Sequence, residues 1–100
     1  PVVAVVSESM EHDGNFDRWW ESNKDWYTER DITKDNFAEF RFKNGFNKGD
    51  IMVLIGKKPG NINPGEVIVF RSKRPDPIIH RVVKKWNDKG KFYFQTKGDH

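Results

Sequence analysis

Cysteine is absent from the chain. That excludes disulfides, thiolate nucleophiles and zinc–thiolate sites, and it fits any compartment. Long apolar runs are missing as well: no window approaches the roughly twenty apolar residues that a membrane-spanning helix needs. Apolar residues make up only 35% of the total and charged residues 33%, a low and a high share for a globular domain. Fourteen aromatics offset part of the deficit, because each buries a large area. The 100 residues suffice for a single domain, 1–100, with one modest core. There is no internal repeat and no low-complexity tract.

The net charge of +3 conceals an asymmetry. Glu11 to Glu39 holds nine acidic and four basic residues, whereas Phe40 to His100 holds fourteen basic and five acidic. A basic half of this kind suits an anionic partner such as nucleic acid or an anionic membrane. It equally suits solvated strands whose lysines protect sheet edges.

The first apolar run is Val2-Val3-Ala4-Val5-Val6, short enough for a buried strand. It ends in Ser7-Glu8-Ser9-Met10, and alternation along a strand would set Ser7 and Ser9 on one face with Glu8 on the other. Asn15 to about Arg30 then carries Phe16, Trp19, Trp20, Trp26 and Tyr27 at helical spacing, with Asn15 as N-cap and Asp17 at the positive end of the dipole. Two destinations suit that aromatic face: packing onto a sheet, or resting at a bilayer interface. A shorter helix is predicted from Thr33, with Phe37 and Phe40 as its apolar side.

Beyond Lys48-Gly49-Asp50 the pattern changes to strands. Ile51–Ile55 predicts a second buried strand, and Glu66–Phe70 and Ile78–Val83 predict two more. Asn87-Asp88-Lys89-Gly90 turns the chain into a last strand, Lys91–Thr96. The fold class is therefore mostly β: a small, antiparallel, barrel-like folded sheet with a helical insertion at 11–47.

Two serines at the end of a strand suit either a nucleophile with its helper or the first polar residues of a turn. His80 interrupts an otherwise apolar strand, where an imidazole must be hydrogen-bonded. That leaves both a structural histidine and a general base open.

Four stretches in order narrow the choice: Val6–Glu11, Lys48–Val53, Gly65–Phe70 with Ile78–Val83, and Thr96-Lys97-Gly98-Asp99. Together they resemble the conserved boxes of type I signal peptidases, in the archaeal and endoplasmic-reticulum branch. The resemblance covers residues 2–10 and 48–99 and leaves the 11–47 insertion outside. It implies Ser9 as nucleophile, His80 as general base, and Asp99 as the aspartate of the closing box, with the acid that orients His80 either Asp99 or an aspartate beyond His100. It implies Ser7 at the oxyanion site, with Met10, Ile78 and Ile79 lining the substrate groove.

No metal and no cofactor is implied. The implied substrates are signal peptides of secretory preproteins, at the cell membrane and on its extracytoplasmic side, with lipid contacts made by helices flanking this stretch. The chain starts on a strand and stops on a turn signal, so both ends read as cut from a longer protein. Glu8 stands where these enzymes usually carry glycine, and His12 where they usually carry proline. His12 is expected at the surface. Two alternatives remain: a LexA-like self-cleaving serine peptidase using Lys84 or Lys85 as base, and a basic β module that binds nucleic acid and has no catalytic activity.

Overall fold

A computed structural model describes residues 2–100. Its strands form two separate antiparallel sheets. The first pairs β1 (Val2–Ala4) with β2 (Ile51–Val53), Val3 opposite Met52. The second is a meander of β3 (Val67–Phe70), β4 (Ile78–Asp88) and β5 (Lys91–Lys97), with β4 in the centre. The expected barrel does not close: no hydrogen-bonded ladder joins one sheet to the other among the described residues. Side chains bridge them instead, Val5, Met10 and Ile79 packing together with Met52, Val67, Val69 and Phe46.

The last hairpin follows its turn chemistry. Lys89 and Gly90 both have positive φ (53° and 83°), the two-residue geometry whose twist matches that of the flanking strands. It sets Asp88 opposite Lys91 and Trp86 opposite Tyr93.

The first two apolar runs, Val2–Val6 and Ile51–Ile55, correct the expectation of buried strands, Val5 alone among them being buried. Each forms only three residues of ladder, and Val2, Val6, Ile51, Val53 and Ile55 all lie exposed, Ile55 at 88%. A two-stranded ribbon has one covered face, so only alternate residues are enclosed: Val3 and Met52 are half-buried. The strand ends before Ser7, and Ser9-Met10 lies in a turn.

The helical segment forms α1 (Phe16–Thr28) and α2 (Lys34–Ala38). Asn15 caps the first by accepting the Arg18 amide, and Thr33 with Asn36 closes a capping box on the second. Trp19, Trp20, Tyr27 and Phe37 are buried with Ile32 and Val83, and Phe16, Trp26 and Phe40 pack around them. Of the two destinations open to the aromatic face, packing onto the sheet is the one observed; Trp19, Trp20 and Tyr27 have no surface left for a bilayer. Their fully buried area substitutes for the aliphatic core this composition lacks. No described helix is long and apolar enough to cross a membrane.

Candidate active site

β4 is the strand from which the site is built. Alternation turns His80 and Arg81 to opposite sides of it, and each side has its own set of partners.

On one side His80 is half-buried, and its Nδ1 lies 3.3 Å from the Thr96 hydroxyl. Burial lowers its pKa, with the positive charges of Lys97 and Arg74 acting in the same direction and Asp99 opposing. An imidazole held neutral in this way can accept a proton. Lys97 is also depressed by burial; its Nζ donates to the Gly98 carbonyl and sits over the rings of Trp26 and Tyr27.

Ser9 approaches from the turn after β1. Its carbonyl accepts the His100 amide at 2.9 Å, and the next carbonyl, Met10, accepts the Phe46 amide at 2.8 Å. Gly98 stands between serine and histidine. A Cβ added there would come 3.3 Å from Ser9 Cβ and 3.4 Å from His80 Nε2, so the two groups flank one point that only glycine leaves open. Both line a cleft of about 300 Å³, with Ser7, Val6, Arg74, Asp76, Ile78 and Ile79 along its walls. A second cleft of about 310 Å³ continues past Ser7 along Val3–Val6, walled by Met52, Val69 and Ile79.

The serines meet by a turn, not by strand alternation. The Ser7 hydroxyl donates to Ser9 Oγ at 2.9 Å and accepts the Ser9 amide at 3.1 Å, while the Ser9 hydroxyl points to the Ile79 carbonyl at 3.4 Å. No hydrogen bond joins the Ser9 hydroxyl to His80 in this arrangement. Of the expected groove residues, Ile79 lines both clefts and Ile78 one. Met10 lies beneath them, fully buried, its sulfur accepting the Asp99 amide.

On the other side of β4 is a buried charge cluster. Arg81 is fully enclosed and donates to both oxygens of Asp99. It also donates to the carbonyls of Gly65, Arg41 and Phe42 at 2.7–2.8 Å, and it lies over the Phe37 ring. Asp99, one of the two acids open to orient His80, is thus committed elsewhere. Its carboxylate is held by Arg81 and by His12 Nε2 at 2.8 Å, and no hydrogen bond joins it to His80. His12, expected at the surface, has a side chain only 2% exposed and stacks on Trp19 at 4.0 Å.

Arg81 and Gly98 belonged to the quoted boxes without a role. The signal for Arg81 was an arginine in an apolar strand, which needs a buried anion. His12 was visible only as a departure from the family's usual proline, with no sign of its burial or its bond to Asp99. Among the described residues no group of acidic or histidine side chains is arranged to hold a metal ion.

No protein-family model matches the chain, and no solved structure does. Curated proteins do. The signal peptidase complex catalytic subunit SEC11C of Homo sapiens, of Canis lupus familiaris and of Mus musculus is 41% identical over 56 residues, 54% of this chain. Over that stretch the chain is similar to a signal peptidase catalytic subunit. The match spans 29% of the length of these relatives.

Proposed function

We propose that this chain carries the catalytic centre of a serine endopeptidase of the signal peptidase type, with Ser9 as nucleophile and His80 as general base. The observation that carries the proposal is the convergence of Ser9 Cβ and His80 Nε2, both residues lining the cleft, on Gly98. The partial similarity to SEC11C supports it independently.

A serine hydroxyl is a weak nucleophile until a base within about 3 Å takes its proton. In the proposed sequence, Nδ1–H of His80 donates to Thr96, which leaves the Nε2 lone pair facing Gly98 and Ser9. The Ser9 hydroxyl turns from Ile79 to Nε2, attacks the peptide carbonyl and passes its proton to the imidazole. His80 then protonates the departing amine, and water hydrolyses the acyl-serine by the reverse relay. The Ser7 hydroxyl and the Ser9 amide, now bonded to each other, become donors to the tetrahedral oxyanion; a single such donor is worth about 2.7–4 kcal/mol.

Thr96 takes the orienting place on the imidazole that was open to Asp99 or to an aspartate beyond His100, and Asp99 acts on the imidazole only through space. The substrates in this proposal are the signal peptides of secretory preproteins, cleaved at a membrane. The apolar cleft beside Val3–Val6 would hold the side chains that precede the scissile bond.

The test is cleavage of a synthetic precursor peptide spanning a signal-peptide junction. Ser9→Ala and His80→Ala are each expected to abolish it. Cleavage retained by either variant would overturn the proposal, and loss in Lys84→Ala with retention in His80→Ala would favour a lysine-based, self-cleaving relative.

A further inference from the structure

Residues 9–12 and 98–100 lie against each other, joined by a series of hydrogen bonds along the seam. Ser9 O accepts the His100 amide, Met10 Sδ accepts the Asp99 amide, and the Glu11 carbonyl lies 3.3 Å from His100 Nδ1. His12 completes the seam by giving Nε2 to the Asp99 carboxylate. A carboxylate beside Arg81 only accepts, so Nε2 carries the proton in this bond. Trp19 grips the same residue from behind: its indole N–H donates to the Asp99 carbonyl at 2.8 Å, and its ring stacks on the His12 imidazole at an interplanar angle of 6°. Asp99 is therefore fixed through its amide, its carbonyl and its carboxylate at once. The residue before it, Gly98, faces Ser9 and His80, and the residue after it holds the Ser9 carbonyl.

Packing alone does not account for a histidine at position 12. Its Nδ1 is buried without a partner, a desolvation cost that a phenyl ring of similar shape would avoid. The bond from Nε2 is what the imidazole supplies and a phenyl ring cannot.

We propose that His12 is a positioning residue for the nucleophile: its bond to Asp99 holds the Gly98–His100 segment against the Ser9 turn and so sets the aim of the Ser9 hydroxyl. This rests on Ser9 being the nucleophile, and it makes the helical segment part of the catalytic apparatus. Two variants of the chain separate bond from stack. His12→Gln returns an N–H donor toward Asp99 without the ring, whereas His12→Phe keeps the ring without the donor.

Two readouts are followed: hydrogen exchange of the Trp19 indole and the His100 amide by NMR, and kcat and KM for the precursor peptide. In His12→Phe, exchange at both sites is expected to quicken about tenfold or more, as for loss of a bond to a charged group. Its kcat is expected to fall about tenfold with KM within twofold, and His12→Gln to recover most of both losses. Wild-type exchange and kcat in His12→Phe would overturn the inference. Equal losses in the two variants would also overturn it, since the stack would then be what matters. A chain that cleaves nothing would sink the peptidase proposal, and the exchange data would still decide whether His12 holds the seam.

Discussion

Replacing Gly98 with alanine adds one methyl group at the point where Ser9 and His80 converge. The backbone at Gly98 suits an L-residue, so the perturbation is purely steric. The new Cβ would lie 2.6 Å from the Ser9 carbonyl oxygen, whereas comfortable carbon–oxygen contacts begin at about 3.3 Å. Relief needs a movement of about 0.7–1 Å. The Ser9 carbonyl cannot swing aside freely, because it accepts the His100 amide at 2.9 Å. The turn must move as a whole or that bond must break.

Overpacking of this kind costs about 1–3 kcal/mol. At about 4–8 °C per kcal/mol for a domain of this size, that is a fall in Tm visible by circular dichroism. A misplacement of about 1 Å between reacting groups costs about a hundredfold in rate. The assay is kcat/KM on the precursor peptide, well below the lowered Tm. Gly56→Ala serves as control, since a Cβ there meets nothing within 4 Å. If Gly98→Ala kept wild-type Tm and activity within twofold, the claim that serine and imidazole share one crowded point would be wrong.

Other outcomes follow from the same geometry. The depressed imidazole of His80 predicts that kcat/KM falls on the acid side only below the ordinary histidine value of about 6.5; Arg74→Gln, which removes one of the charges holding it down, should move that limb upward. The fold should also lose stability as pH drops from the unfolded imidazole value toward the lower folded one, because between the two the unfolded chain binds more protons; chemical denaturation across that range checks the sign. Arg81→Met leaves the buried Asp99 carboxylate with His12 as its only side-chain partner and strands three carbonyls, and should cost about 3–5 kcal/mol, read as a lower urea midpoint.

How much of this was legible beforehand depended on whether the information was local. Both helix starts were visible because Asn15 and Thr33 satisfy backbone amides only three residues ahead. The last hairpin was visible because its turn needs positive φ at Lys89 and Gly90. Burial of Val2–Val6 and Ile51–Ile55 was misjudged, since a valine run looks alike in a central strand and in a two-stranded ribbon, and the number of neighbouring strands is not a local property. The nearness of Ser9 to His80 was suggested by resemblance alone, and no spacing in the chain contains it. The partners of Asp99 come from positions 12 and 81. A carboxylate gives no hint which cation will reach it first: His80 was one open candidate, and Arg81 and His12 are the partners observed.

The two faces of β4 limit how this chain can be altered. Every buried partner of the Arg81 guanidinium apart from Gly65 and Asp99 lies on residues between Phe37 and Phe42. Cutting out the helical segment would strip the Arg41 and Phe42 carbonyls and the Phe37 and Phe40 rings from Arg81, one residue from His80, leaving it only Asp99 and Gly65. A shortened version of the chain would therefore have to cover the Arg81–Asp99 pair with some other element.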